Sequence, residues 1–234
     1  MSQKKPAIKN WNKADIDTSR EPQSSVTIIV GRSPEAKKFS VHKDIIYYYS
    51  PFFDSAFNGQ FEEGETQTMT LEDVEHSVFG LLVFWLYVGD MAQREANNEY
   101  EYSQTPTQLS KLWILAERFL MPQLQNDVVN ELFWTIANAF SDIERHTLLT
   151  GETARGLIEP FIQFAYSTES TILQELAADR LAFACSEKVF IDMVEDLPNK
   201  AVVAVAKALK TGRESGAEDF YVAEDGMESR YRGS

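Results

Sequence analysis

The folded part of the chain is expected to begin with two β-strands. Residues 26–30 form a β-branched run in which Val26, Ile28 and Val30 take alternate positions and so share one face. A second short strand is predicted at residues 37–41, after a turn that contains serine and proline. The two segments are close enough in sequence to form a hairpin.

The spacing of apolar residues changes from alternation to a helical period near His42. Beyond it, Ser50 followed by Pro51 predicts a helix start, because the serine hydroxyl can accept from a free backbone N–H and proline loses no hydrogen bond there. Gly59 is predicted to end this helix in a left-handed conformation. Residues 62–66, which include three glutamates, are predicted to form a charged loop.

The rest of the chain is predicted to be mainly helical. Met69 and Leu71 indicate a short third strand among threonines. Apolar residues at helical spacing then predict helices near 74–87, 109–120, 122–136, 157–166, 172–185 and 189–209, the last one broken around Pro198. The polar residues 92–106 are expected to be an exposed connection. The fold class is therefore α+β, with a small sheet covered by helices.

These elements suggest a division of the chain into four parts. Residues 1–23 have no apolar period and are expected to be a flexible tail. A sheet-bearing domain at 24–126 precedes an all-helical extension at 127–210, and 211–234 is predicted to be a disordered acidic tail. The longest apolar run, residues 78–88, is far shorter than the roughly 20 residues that a bilayer span needs.

Charge and cysteine content narrow the possible partners and compartments. The formal net charge is −14, from 36 acidic and 22 basic residues, which disfavours nucleic acid or an anionic membrane as the main partner. The single cysteine, Cys185, excludes an intrachain disulfide and favours a reducing compartment. With no signal peptide in the polar start of the chain, we expect an intracellular protein, cytoplasmic or nuclear or both.

Residues with catalytic or metal-binding chemistry are few. His42 stands between strand and helix, where we expect its ring nitrogens to satisfy nearby backbone groups. Cys185 falls on an apolar helix and is predicted to be a buried, inert thiol. The sequence has neither zinc-ligand spacing nor a glycine-rich phosphate loop. We therefore predict that the protein has no catalytic, metal or cofactor site and that it is not an enzyme.

Six motifs in order resemble those of a BTB/POZ domain of the fungal type, over residues 24–126. They are Val26-Thr-Ile-Ile-Val-Gly, Phe39-Ser-Val-His-Lys-Asp-Ile-Ile, Ser50-Pro-Phe-Phe, Leu71-Glu-Asp-Val, Phe84-Trp-Leu-Tyr-Val-Gly and Leu115-Ala-Glu-Arg-Phe-Leu-Met-Pro-Gln-Leu. The resemblance implies a BTB/POZ fold, a small three-stranded sheet flanked by helical hairpins, followed here by an all-helical extension. It also implies a non-catalytic role in protein–protein interaction.

Many members of this family form homodimers, and many bind the N-terminal region of cullin-3 as adaptors of a ubiquitin ligase. The family's cullin-binding pattern places a hydrophobic residue two positions before a glutamate, which Phe61-Glu62-Glu63 resembles. The resemblance implies that Phe61 fills an apolar pocket on cullin-3 and that Glu63 supports the loop. The alternative is a homo-oligomerising, transcription-associated regulator with no link to cullin.

The chain departs from the family at its first strand. Ser24 and Ser25 stand where many members have an aspartate at a dimer interface, and the amphipathic segment exchanged in swapped dimers is not evident. A homodimer, if formed, is therefore not expected to be of the N-terminally swapped type. We expect the partners of this chain to be proteins, and we do not expect it to bind nucleic acid or a membrane.

Aromatic residues supply the candidate partner-binding surface. A helix must point three successive tyrosines in different directions, so at least one of them is expected to face solvent or a partner. The sequence is equally compatible with an arrangement in which two tyrosines lie in the core and one lies at the surface. The partner-binding candidates are Tyr47, Tyr48, Tyr49, Phe52, Phe57, Phe61 and Glu63.

Overall fold

The computed structural model describes residues 24–91, 104–145, 151–212 and 214–223. The strands are β1 (Ser25–Val30), β2 (Lys37–His42) and β3 (Thr68–Leu71). The helices are α1 (Lys43–Tyr49), α2 (Pro51–Asn58), α3 (Glu62–Thr66), α4 (His76–Val88), α5 (Pro106–Arg118), α6 (Pro122–Arg145), α7 (Gly151–Ser167), α8 (Thr171–Phe183), α9 (Glu187–Met193) and α10 (Asn199–Thr211). Short 3-10 turns lie at Val194–Asp196 and Ala217–Phe220.

The first strand is the centre of a three-stranded sheet with the order β2-β1-β3. It runs antiparallel to β2, with Val26 opposite Val41, and parallel to β3, with Ile28 opposite Met69. Val26, Ile28 and Val30 are fully buried, as their alternation predicts. The predicted hairpin and third strand are therefore confirmed, and the fold is the predicted combination of a small sheet with many helices.

Helix α4 contributes five residues to the buried core. Its buried residues follow the helical period and are Val78, Phe79, Leu82, Trp85 and Leu86. Gly89 ends the helix with φ 72°, a left-handed conformation, and its N–H donates to the Trp85 carbonyl at 2.8 Å. This helix and its stop were both predictable from the sequence.

One apolar core joins the sheet to the helical extension. Its members extend from the strands through α4 to α8 and on to α10, in a single cluster of buried residues. Helix α6 crosses the predicted boundary at 126/127 without a break, and its residues Val128, Val129 and Leu132 are fully buried. The division into two domains therefore falls inside a helix, and it stays a prediction.

Two local predictions near the end of α2 are wrong. Residues Glu62–Thr66 form the helix α3 instead of a loop. Gly59 ends α2 in an extended conformation, with φ −78°, instead of a left-handed one. A side chain there would place its Cβ 2.6 Å from the Ser55 carbonyl oxygen, so close backbone approach is the reason that glycine fits this position.

The predicted disordered tail contains an ordered segment. Residues 214–223 lie against α6 and α8, with Phe220 buried in the core. The prediction of disorder is therefore wrong for this segment, since a single buried aromatic and several side-chain contacts hold it. The predicted tail at 1–23, most of the predicted connection at 92–106, and residues 224–234 lie outside the described residues.

None of the helices in the described ranges combines the length and apolar character that crossing a membrane requires. The predicted location within the cell stays a prediction.

Candidate functional site

Ser50 fixes the start of α2. Its hydroxyl accepts a hydrogen bond from the Phe53 N–H at 3.2 Å and donates to the Phe119 carbonyl at 2.7 Å, and its side chain is fully buried. The first contact is the predicted N-cap, with Pro51 at the first helical position. The second contact ties α2 to the end of α5, across 69 residues of sequence. The position of α2 is therefore set by α5 as well as by its own sequence.

The aromatic residues of α2 belong mostly to the core. Phe53 packs against Phe119 with ring centroids 4.6 Å apart, and Phe52 lies 5.2 Å from the same ring. Phe57 is only 2% exposed. Its side chain therefore has almost no surface to offer a partner, and Phe57 is left out of the surface proposed below. Phe52 is half-buried and keeps an accessible edge.

The three tyrosines of α1 point in different directions. Tyr48 is 48% exposed, whereas Tyr47 and Tyr49 are half-buried. Tyr47 stacks on Phe57 with centroids 6.4 Å apart, and Tyr49 meets Trp85 edge-on at 4.8 Å. Two tyrosines thus point inward and one outward, so Tyr48 has the expected solvent-facing position.

Burial affects the two inward tyrosines electrostatically. It raises the pKa of Tyr47 above its ordinary value, and the nearby carboxylates of Asp54 and Asp44 raise it further. Burial also raises the pKa of Tyr49, with smaller contributions from Tyr48 and Asp127. The Tyr47 hydroxyl is buried without a hydrogen-bond partner among the described residues. Both phenols therefore resist ionisation at alkaline pH more than an exposed tyrosine does.

Phe61 is the most exposed large apolar residue of the described chain, at 68%. It lies directly before α3, and its carbonyl accepts hydrogen bonds from the Gly64 N–H at 2.9 Å and the Glu65 N–H at 3.2 Å. Its backbone is therefore fixed while its ring faces solvent. Glu63, two residues later on the first turn of α3, is partly exposed.

Gln67 holds the end of α2 against α3. Its side-chain amide donates to the Phe57 carbonyl at 3.0 Å and to the Gly64 carbonyl at 2.5 Å. Gln67 itself takes a left-handed conformation, with φ 53°. Sequence reasoning missed this residue, because no local pattern distinguishes a glutamine that bonds distant carbonyls from one in solvent.

Leu120 is a second exposed apolar residue that sequence reasoning missed. Its helical spacing predicts a buried position, but it is 57% exposed and has φ 55° in the turn between α5 and α6. A left-handed conformation is costly for a branched side chain, so the surrounding structure must impose it. Phe119, its neighbour, is buried against Phe52 and Phe53.

The residues with reactive side chains have structural partners. Nδ1 of His42 lies 2.8 Å from the Tyr87 hydroxyl, which also accepts from the His42 backbone N–H at 3.2 Å. The predicted backbone partners of this ring are thus replaced by a tyrosine. Cys185 is half-buried, which is less burial than predicted. Among the described residues, no group of histidines, cysteines and carboxylates is arranged to hold a metal ion.

Comparisons with known proteins give a family match. A family model described as BTB/POZ domain matches residues 16–135. The chain is 26% identical to Kelch repeat and BTB domain-containing protein 4 of Mus musculus over 205 residues, which is 84% of this chain and 37% of that protein. The Homo sapiens protein of the same name is 33% identical over 117 residues, 49% of this chain and 22% of the relative.

A further relative carries a related name. Kelch repeat and BTB domain-containing protein 6 of Homo sapiens is 25% identical over 186 residues, 78% of this chain and 27% of the relative. The chain thus covers between 22% and 37% of the length of these relatives. The similarity extends beyond the family match into the helical extension, since it includes most of this chain in two cases. The fungal character of the motifs stays a prediction.

Proposed function

Because the chain belongs to the BTB/POZ family of protein-interaction domains, we propose that it is an adaptor that binds the N-terminal region of cullin-3 and presents other proteins for ubiquitylation. The proposed contact, called the α2 surface below, consists of Tyr48, Phe52, Phe61, Glu63 and Leu120. Four of these residues come from the sequence prediction, and Leu120 is added because of its exposure. Tyr47 and Tyr49 support the surface from beneath.

The observation that carries the proposal is the exposed ring of Phe61. Most large apolar side chains of a folded domain lose water contact, and burying one contributes about 1.5–3 kcal/mol. Phe61 does not gain this in the free chain, yet its backbone is held by two hydrogen bonds from α3. Because this backbone is already ordered, binding through Phe61 costs less conformational entropy than ordering a free loop would, and buried aromatic residues often dominate interface energetics.

Phe61 and Leu120 lie at opposite ends of α2. Leu120 follows Phe119, whose carbonyl is bonded to the N-cap Ser50, and Phe61 follows the last turn of the helix. Eight helical residues span about 12 Å, which is the approximate length of α2 that a partner would have to follow to contact both apolar residues. Two apolar contacts joined by a helix fit a partner with an elongated helical surface.

Three acidic residues follow the exposed Phe61 in the sequence. Glu62, Glu63 and Glu65 all lie in α3, and the whole chain carries a formal charge of −14. A partner that is basic around its apolar pocket would be attracted over a distance comparable with the Debye length, so its association rate should fall as salt rises. This charge pattern favours a protein partner over a phosphate backbone.

Size-exclusion chromatography with light scattering tests the proposal. The full chain is mixed with the N-terminal region of cullin-3, and we expect a complex with the summed mass of both proteins. A control chain carries Ile191→Ala, because Ile191 is also exposed, at 59%, but lies on α9. Separate elution of the two wild-type proteins at micromolar concentration would contradict the adaptor role.

The alternative is a homo-oligomerising regulator with no link to cullin. It is favoured by the two sheet edges, since β2 and β3 each pair only with β1 in the part of the chain that the structure describes. Open edges can add a strand from a second copy. Light scattering on the chain alone, together with the mixing experiment, separates the two roles. A dimer that does not bind cullin-3 favours the regulator, and a strict monomer argues against it.

A further inference from the structure

The segment at residues 214–223, called the strap below, crosses the helical extension. Its backbone is extended at Gly216 and Tyr221 and forms a single 3-10 turn, Ala217–Phe220, between them. It begins beside α8 and ends beside the first turns of α6. Only Phe220 among its residues is buried, at 6% exposure, while Glu218, Asp219 and Tyr221 lie at the surface. The strap is therefore attached by one aromatic side chain and by polar contacts.

The first residues of the strap form hydrogen bonds with a buried ion pair. Arg180 is 3% exposed, stacks 3.7 Å above the Phe133 ring, and donates two hydrogen bonds to its neighbour Asp179. The same guanidinium donates to the carbonyl of Ser215 and the carboxylate of Glu214, each at 3.2 Å. Asp179 accepts from the Ser215 N–H at 3.0 Å. Both main-chain groups of Ser215 are thus bound by side chains.

The last residues of the strap form hydrogen bonds with two asparagines on α6. The Asn126 side chain accepts from the Val222 N–H at 2.8 Å and donates to the Val222 carbonyl at 3.1 Å. One turn further, Asn130 accepts from the Tyr221 hydroxyl at 2.6 Å. An asparagine that bonds both main-chain groups of one residue reads an extended backbone much as a neighbouring β-strand does.

These contacts are of the kind that a peptide-binding site makes with a bound peptide. Four main-chain groups of the strap, the N–H and C=O of Ser215 and of Val222, are bound by side chains of other elements. We propose that the site formed by Asn126, Asn130, Phe133, Asp179 and Arg180 is a peptide-binding site, that the strap is its tethered occupant, and that a partner peptide of the same chemistry displaces it.

The chemistry of the strap defines the partner. Such a peptide is acidic and can form one 3-10 turn between its two bound ends. It has a carboxylate to meet Arg180 and, six residues later, a phenylalanine to enter the core as Phe220 does. A tethered segment has an effective concentration in the millimolar range, so it fills the site even when its intrinsic affinity is modest. A partner peptide therefore competes only when it is abundant or binds more tightly. This site is separate from the α2 surface and does not depend on cullin-3 binding.

Fluorescence anisotropy with a labelled synthetic peptide of residues 214–223 tests the proposal. Two full-length variants weaken the chain's own strap: Val222→Pro removes the N–H that Asn126 binds, and Phe220→Ala removes the buried ring. We expect each variant to bind the added peptide at least about tenfold more tightly than the wild type, whose tethered strap competes. Adding Asn126→Ala to the Val222→Pro chain should reverse the gain.

Two controls define the result. A labelled peptide with alanine in place of Phe220 should not bind, and Val203→Ala, an exposed change on α10, should leave the chain like wild type. The proposal is overturned if both strap variants are folded by circular dichroism and neither binds the peptide more tightly than wild type. It is equally overturned if both variants unfold, because the strap is then an obligatory part of the fold. If one unfolds, the other decides.

Discussion

Phe57 and Phe61 lie four residues apart but have opposite environments. Phe57 is in the core and Phe61 faces solvent. We expect Phe57→Ala to lower the free energy of unfolding by about 3–5 kcal/mol, because it leaves a cavity. Phe61→Ala should change it by no more than about 0.5 kcal/mol. Urea denaturation of both variants measures the difference, and similar losses for the two would show that Phe61 also supports the fold.

Residues four apart share a helical face, but Gly59 is predicted to end the helix between these two phenylalanines, so their spacing alone does not decide which of them is buried. The helix ends at Asn58, and the extended backbone at Gly59 turns Phe61 away. That turn depends on the close approach of the Ser55 carbonyl and on the contacts of Gln67, which are not visible in local spacing. The motif that Phe61 and Glu63 form was therefore recognisable, while the burial of Phe57 was not.

Tyr166 gives the chain a specific alkaline sensitivity. Burial, with a smaller contribution from Glu175, raises its pKa from 10.0 to about 12, and its hydroxyl donates to the Gln174 carbonyl at 3.1 Å. The folded state therefore resists ionisation of this phenol more than the unfolded state does. Its contribution to stability is complete below pH 10 and is lost as pH rises toward about 12.

Urea denaturation at several pH values tests this sensitivity. Between pH 9 and about 12, wild type should lose more stability than Tyr166→Phe, which has no hydroxyl to ionise. Tyr47 and Tyr49 are unchanged in both proteins, so their raised pKa values cancel in the comparison. Parallel losses in the two proteins would show that Tyr166 is not responsible.

At the scale of elements, two glycines have opposite requirements. A Cβ at Gly59 would contact the Ser55 carbonyl oxygen at 2.6 Å and the Phe61 ring at 3.0 Å. A Cβ at Gly80, inside α4, would meet nothing within 4 Å. We expect Gly59→Ala to lower the free energy of unfolding by about 1–3 kcal/mol, as overpacking does. Gly80→Ala should raise it by about 0.5–1 kcal/mol, because alanine favours the helix.

Thermal denaturation of the two glycine variants checks these opposite signs. A stabilised Gly59→Ala would mean that the end of α2 relaxes easily and that Phe61 is less rigidly presented than its hydrogen bonds indicate. A destabilised Gly80→Ala would mean that α4 packs more tightly there than the open space suggests.

The elements with a strong period were predictable and the others were not. β1 and α4 each repeat buried residues at the spacing of their own structure, so their sequence signals are local. The helix α3 has five residues, none of them buried, and so has no apolar period to detect. The strap is held by Asn126 and Arg180, which lie 96 and 35 residues away from their partners in it. Contacts over such distances leave no pattern in the local sequence.

At the scale of the whole molecule, one core joins the sheet to the helical extension. Helix α6 contributes to both parts, and α5 packs against both α6 and α7. We therefore expect the chain to unfold in one cooperative transition. Tryptophan fluorescence, to which the buried Trp85 and Trp113 contribute, should change over the same urea range as far-ultraviolet circular dichroism. Two separated transitions would instead support independent domains on either side of residue 126.

The measurement that most directly tests the proposed adaptor role is calorimetric titration of the full chain with the N-terminal region of cullin-3. Wild type and the Ile191→Ala control should bind alike, whereas Phe61→Ala should lose about tenfold or more in affinity and Glu63→Ala somewhat less. All variants should keep the unfolding midpoint of the wild type. Absence of heat with wild type, or equal affinity of wild type and Phe61→Ala, would contradict the adaptor role.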